Sequence, residues 1–248
     1  MFLINYFKKG IRFIFAFFVF LVCLPLIIIF SFLIYFEDKS NPFYLGIRVG
    51  QNFELFKLYK LRSMIVRKNV GFQSTSSNDD RILKIGKIIR RTKIDELPQI
   101  LNVLLGNINF VGPRPNVQDE VKKYTNLERK LLNYRPGITD FSSIIFSDEG
   151  DILKNSKDPD LDYNLYIRPR KNLIALLYFK DNNLLSDIYI VLLTIINIFD
   201  RKFALKMIYK FMSNKYKNFD LKFILRDKQL SKIENINNFF EIYEDKFF

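Results

Sequence analysis

The chain contains no histidine and only one cysteine, Cys23. Nucleophilic or proton-transfer chemistry must therefore fall to carboxylates, lysine, tyrosine, serine or threonine. Ser-His and Cys-His catalysis, histidine metal sites, cysteine zinc sites and internal disulfides are excluded. Among the groups that remain, the adjacent carboxylates Asp95 and Glu96 stand out by their surroundings: Arg90, Arg91 and Lys93 precede them and Arg114 follows. An acidic pair alone is an ordinary helix start, since the helix dipole favours it. Amid this much positive charge both carboxylates are expected to stay ionised, able to attack phosphorus or to hold Mg2+. Cations and a divalent ion would offset the repulsion between carboxylate and phosphate.

Other polar groups carry weaker signals. Arg62, Asp80-Arg81 and Arg135 read equally well as surface ion-pair residues. Asp158-Pro159-Asp160, with Asp162, has the D-x-D spacing of metal sites in many nucleotide-sugar glycosyltransferases, a pattern common by chance. The glycine and distal glutamate of an EF-hand are absent, as are G-x-x-x-x-G-K-[ST] and G-x-G-x-x-G.

Several elements must position the acidic pair. From Ile82 to Arg91, apolar residues recur at helical spacing and the other face is basic. In KIDELPQILNVLLG, Leu97, Ile100, Leu101, Leu104 and Leu105 form an apolar stripe, and Gly106 is a natural stop. Pro98 is tolerated only in a first turn, so this helix is expected to begin near Asp95, with Asp95 as its N-cap. Its N-terminus would offer N–H groups to phosphate. Pro42 to Leu61 reads as short strands, Asn69 to Asp79 as a loop, VGPRP and RPGIT as turns, and Val117 to Leu132 as one helix.

The charge of +13 favours an anionic partner. Nucleic acid is set aside: no recognition-helix or RNA-binding signature occurs, and the chain carries a membrane segment. Phe13 to Phe36 is uncharged and long enough to enter a bilayer. Pro25 interrupts it, and basic residues flank both ends. Positive charge favours the cytoplasmic side at each end, which predicts a re-entrant helical hairpin broken at Pro25, with a straight span as the alternative. Leu184 to Phe199 reads as an interfacial amphipathic helix.

Taken together, these features resemble the bacterial sugar transferases, monotopic phosphoglycosyl transferases that act on polyprenol phosphate. The resemblance runs from about Tyr6 to Phe199. It rests on the Pro-broken apolar helix, FKLYKLRSM, the block from Asp79 to Pro115 containing DELPQ and PRP, YRPGIT, and the apolar segment near Leu184. It implies an α+β, mostly helical fold: a re-entrant membrane hairpin (1–36), a small cytoplasmic catalytic domain with interfacial helices (37–200), and a helical tail (201–248). By similarity, Asp95 attacks the β-phosphate of a UDP-sugar, UMP leaves, and polyprenol (undecaprenyl) phosphate takes the sugar phosphate from the aspartyl intermediate. Mg2+ would be held by Glu96 with help from Asp95. Arg90 and the PRP turn (Pro113, Arg114, Pro115) match positions expected to contact phosphate or nucleotide. Lys60, Arg62, Asp80, Arg81 and Arg135 match further substrate-binding positions. The implied place is the cytoplasmic face of a bacterial inner membrane, at the first membrane step of capsule, O-antigen, exopolysaccharide or glycoprotein assembly, with a second copy of the chain as a candidate partner. The chain departs from the family at Leu24-Pro25, where Ser-Pro is frequent, and at DFSSIIFSDEGDIL after RPGIT, which points to a different sugar pocket. Two rivals stand beside this reading: a glycosyltransferase releasing UDP through Asp158 and Asp160, and a non-catalytic membrane subunit of a glycan-assembly complex.

Overall fold

The computed structural model describes residues 2–65, 76–217, 219–225 and 230–247. Among the described residues the protein is mostly helical, with two two-stranded sheets. The apolar segment forms one helix, α1 (Phe2–Asp38), and its stretch Arg12–Asp38 is long and apolar enough to cross a membrane. The expected break at Pro25 is not visible as two helices, because helix continues on both sides of it. Ala16, Ile27 and Ile34 are buried, and Phe20, Cys23 and Phe30 pack beside them. These positions recur every three or four residues without a phase shift at Pro25, so one stripe of α1 lies along the rest of the protein. Phe13, Phe17, Leu21, Ile28 and Phe32 are among the residues exposed on the other sides.

An antiparallel hairpin follows: β1 (Phe43–Val49) and β2 (Leu55–Leu61), with Tyr44 opposite Lys60 and Gly46 opposite Leu58. Strand alternation places Tyr44, Arg48, Leu58 and Lys60 on one face, turned inward. The next helix, α2 (Lys84–Thr92), has no side-chain cap from its own N-cap residue, Leu83. The cap comes from α1 instead, where the Glu37 carboxylate accepts from the Lys84 and Ile85 N–H groups at 2.6 and 3.0 Å. Asp38, the next residue, ion-pairs with Arg62, which also donates to the Asn41 carbonyl at 2.6 Å.

The helix expected to begin at Asp95 begins differently. Lys93 ends α2 in a left-handed conformation (φ 60°), Ile94–Glu96 makes a 3-10 turn, and α3 spans Gln99–Leu104. Asp95 is therefore inside the turn rather than its N-cap, and the Glu96 and Leu97 N–H groups are used within it, bonded to the Lys93 and Ile94 carbonyls. The buried Asn102 locks α3 against β2: its amide donates to the Lys57 carbonyl at 2.7 Å and accepts from the Tyr59 N–H at 3.0 Å.

The residues leading into VGPRP form β3 (Asn109–Val111), which pairs in parallel with β4 (Gly137–Thr139) at the end of RPGIT. The single helix expected over Val117 to Leu132 is instead α4 (Gln118–Lys122), α5 (Asn126–Arg129) and a 3-10 turn. Thr125 starts α5 with a capping box closed by Glu128, a T-x-x-E signal that outweighs continued helical periodicity. Three short helices follow, α6 (Phe141–Ile145), α7 (Glu149–Ile152) and α8 (Pro159–Asp162), then a π-type turn, Tyr163–Ile167. The central helix α9 (Arg168–Lys180) is buried from Arg168 to Phe179, so its amphipathicity is lost. α10 (Leu184–Phe199), α11 (Arg201–Lys215) and α12 (Ile236–Phe247) enclose the main core through Ile190, Met212 and Phe240, among others. One side of α10 leaves Leu184, Leu185, Ile188, Leu192, Ile195 and Phe199 exposed. Most of the loop expected over Asn69 to Asp79 lies outside the described residues.

The two turns meet through glycine. A Cβ on Gly137 would sit 2.0 Å from the Gly112 nitrogen, a backbone clash that only separation of β3 from β4 relieves. Gly137→Ala is expected to cost about 3 kcal/mol, read as a lowered unfolding midpoint in detergent. An unchanged midpoint would show that the turns can part freely.

Candidate active site

The elements around the acidic pair enclose a cleft of about 1170 Å³. Asp95 and Glu96 lie on its wall, both buried at 8% exposure. Glu96 Oε1 accepts from Lys60 Nζ at 2.9 Å and from Arg114 Nη2 at 2.8 Å. That oxygen thus joins β2, the dyad turn and the PRP turn. Asp95 Oδ1 is buried with no hydrogen-bond partner. Gln99, one helical turn on, has a buried amide nitrogen in the same condition.

The two carboxylates differ electrostatically. Burial would raise the pKa of Glu96, but Arg114, Lys60 and Lys93 hold it well below the ordinary value. Burial dominates at Asp95 and pushes its carboxyl up; Lys60 opposes this, Glu96 adds to it, and Lys93 and Arg90 oppose it further. The expectation that both are held ionised is met at Glu96, whereas Asp95 is a poorly solvated carboxylate. Lys60 itself is lowered by burial, against the pull of Glu96.

Among the described residues no three carboxylates or other ligand side chains gather to hold a metal. Mg2+ does not require this, since it is commonly bound by one or two carboxylates with water and substrate phosphate completing the shell. The unpartnered Asp95 oxygen beside Glu96 fits such a donor set.

The other predicted positions separate. Arg81 and Arg90 line the cleft; Arg81 pairs with Asp79, and Arg90 donates to the Met64 sulfur at 3.5 Å. Arg114 and Pro115 line it too, while Pro113 faces a smaller cavity behind the PRP turn. Arg62 reaches the cleft wall but spends its guanidinium on Asp38 and on backbone carbonyls, which makes it a brace. Asp80 is exposed, and Asp80 and Arg135 are not on the cleft lining; Arg135 lies near Arg12 instead. The D-x-D group is also away from the cleft: Asp158 caps α8, accepting from Leu161 N–H, and Asp162 accepts from Ser156.

Sequence reasoning missed Gln99, Glu120, Glu149, Tyr163 and Lys171, all on the cleft lining. Gln99 was readable, because three residues from Glu96 is the same helical face. Glu149 belongs to the segment that departs after RPGIT, and Lys171 Nζ binds its Oε2 at 2.9 Å. Nothing in the sequence marks Lys171 as a buried cation within α9.

A family model described as bacterial sugar transferase matches residues 3–201. A galactosyl transferase, CpsE, of Streptococcus agalactiae is 33% identical over 171 residues, covering 64% of this chain and 35% of that protein. The undecaprenyl-phosphate galactose phosphotransferase of Salmonella typhimurium is 35% identical over 119 residues, covering 42% of this chain and 25% of that protein. An Aeromonas hydrophila protein named UDP-N-acetylgalactosamine-undecaprenyl-phosphate N-acetylgalactosaminephosphotransferase is 34% identical over 128 residues, 49% of this chain and 30% of that protein. Across the curated relatives described by these comparisons, the matched stretch spans from 25% to 61% of their length.

The cleft's charge balance reaches into stability. Burial would raise Glu149, but Lys171 and Arg114 hold it at about 2, below the usual 4.5. A carboxyl depressed on folding stabilises the protein above pH 4.5, and that contribution is lost as pH falls toward 2. Glu149→Gln is therefore expected to lower the unfolding temperature at neutral pH and to flatten its decline below pH 4.5. Unfolding curves for both proteins across that range check this; parallel declines would remove Glu149 from the balance.

Proposed function

The chain belongs to the bacterial sugar transferase family, and on that premise we propose that it transfers a sugar 1-phosphate from a UDP-sugar to undecaprenyl phosphate. An Asp95 oxygen attacks the β-phosphorus, the bond from that phosphorus to the bridging oxygen breaks, and UMP leaves. An oxygen of undecaprenyl phosphate then attacks the same phosphorus, restoring the Asp95 carboxylate and giving undecaprenyl diphosphate sugar. The observation that carries this reading is the unpartnered, buried Asp95 oxygen next to a Glu96 already neutralised by Lys60 and Arg114. A desolvated carboxylate is the more reactive nucleophile of the two. Arg90 and Arg114 bring positive charge to where phosphoryl charge develops. Asp95 and Glu96 are the residues that would hold Mg2+, which when bound would neutralise charge on the diphosphate.

The lipid acceptor calls for an interface, and the exposed side chains of α1 and α10 provide apolar surface for one. Both ends of the apolar stretch hold to the same body. Arg12 donates to Asn109 at 2.5 Å, and Asp38 pairs with Arg62. This supports a helix that enters and leaves lipid on one face, with the cleft on the cytoplasmic side where the flanking basic residues favour it.

Asp95→Asn is expected to reduce UMP release from a UDP-sugar at least about 10³-fold, and to abolish the labelled phosphosugar that wild-type protein retains after quenching without lipid. Release of UDP instead of UMP would hand the activity to the rival glycosyltransferase reading, and turnover retained by the variant would remove Asp95 as nucleophile.

A further inference from the structure

Beyond the dyad, one corner of the cleft has a chemistry that phosphate cannot satisfy. Glu120, on α4, is buried at 7% exposure and lines the cleft. Its Oε1 takes Lys123 Nζ at 2.6 Å, while its Oε2 is closed off from bulk water with no donor from the protein. Lys171, which binds Glu149, lies 5.8 Å from the centre of the Tyr163 ring, and Tyr163 in the π-type turn is acted on by Glu149, Arg114 and Glu120 on the same lining, so these groups share one corner. Arg114 is also the residue bound to Glu96, which puts the corner one guanidinium beyond the dyad. Lys87, Arg90, Arg91 and Lys93, from α2 and the residue after it, add further cations to the same lining.

A buried carboxylate oxygen without a donor is costly, and what relieves it is an O–H or N–H. At neutral pH a diphosphate supplies only acceptors and negative charge, so it cannot supply the donor that this oxygen lacks. The parts of a nucleotide-sugar that carry donors are its sugar and ribose hydroxyls, the uracil N–H and, on N-acetylated sugars, the amide N–H. Two carboxylates at a corner, one of them with an oxygen that lacks a donor, match neighbouring hydroxyls on one ring.

We infer that Glu120 and Glu149, at the Tyr163 corner of the cleft, form a subsite that accepts hydrogen bonds from ring hydroxyls of the donor. This rests on the UDP-sugar reading above. A site built to bind hydroxyls discriminates by their presence and position, because a missing hydroxyl leaves the buried acceptor unpaired. Glu120 is thus a specificity-determining residue, and the corner selects among sugars that carry the same diphosphate.

The test uses the full-length protein in lipid nanodiscs, with UDP-glucose, UDP-galactose, UDP-N-acetylglucosamine and UDP-N-acetylgalactosamine as probes and UMP release as the readout. Glu120→Gln is expected to raise KM for the preferred donor about tenfold or more, to leave kcat within about threefold, and to change the ranking of the four sugars. If the bound ring is the sugar, inhibition by added UMP stays as in wild type; if it is the ribose, UMP inhibition weakens in parallel with KM. A KM and a ranking both unchanged in a variant with wild-type unfolding temperature would overturn the inference. If Glu120→Gln fails to fold, Glu149→Gln is read by KM and sugar ranking alone, assayed well below its own unfolding temperature, and an unchanged KM and ranking would overturn the inference. Should wild-type protein release no UMP, the transferase reading falls separately, and calorimetric binding of the same UDP-sugars against UMP decides on the subsite. Equal binding by wild type and variant, or none by wild type, would then sink it.

Discussion

One carboxylate oxygen organises the cleft. Glu96 Oε1 receives a lysine from a strand and an arginine from a proline-flanked turn, 2.9 and 2.8 Å away. Taking charges out of water is expensive, and the cost is recovered only when the partners are held in good geometry. The arrangement therefore requires Asn102 to fix α3 on β2 and the Gly112–Gly137 approach to fix the PRP turn. Its consequence falls on the neighbouring residue. With Lys60 and Arg114 committed to Glu96, Asp95 keeps an oxygen without a partner, and burial rather than pairing sets its acidity. Two adjacent carboxylates are driven apart by their surroundings, a division that permits different roles.

The same economy ties the apolar helix to the site. The last two residues of α1 contribute a cap to α2 and a brace to β2. Those two elements carry Arg90 and Lys60 respectively. A shift of α1 against the body would displace both cations flanking the dyad. Placement relative to lipid and placement of the reactive groups are thus one mechanical problem.

What could be read from the sequence follows physical locality. The apolar helix, the strand pair over Pro42 to Leu61 and the helix after Ile82 were legible because burial leaves its period in the chain. The acidic pair stood out because Arg90, Arg91 and Lys93 precede it closely, although the cations bound to Glu96, Lys60 and Arg114, lie 36 and 18 positions away. The helix start was misplaced: Lys93 takes a left-handed conformation, and no composition rule marks a lysine for that. The break at Thr125 was legible in T-x-x-E but was overridden by apolar spacing. Arg62, Asp80 and Arg135 were grouped with the site by resemblance, whereas the fold commits Arg62 to a brace and leaves Asp80 and Arg135 off the cleft. Lys171 and Glu149, 22 positions apart in sequence, meet only through α9 packing, which no local pattern encodes.

The proposed reaction poses an electrostatic difficulty that the cleft's layout helps to explain. A direct transfer would hold a nucleoside diphosphate and a lipid monophosphate together around one group of cations, and two anionic substrates side by side repel each other. Splitting the transfer at Asp95 removes the conflict. UMP carries its charge away before the lipid phosphate arrives, and the same guanidinium groups can serve each phosphate in turn. Such a scheme needs a nucleophile that is not already neutralised by those cations, together with a second carboxylate that is. Asp95 and Glu96 divide in that way, and they do so because Lys60 and Arg114 converge on a single oxygen of the second.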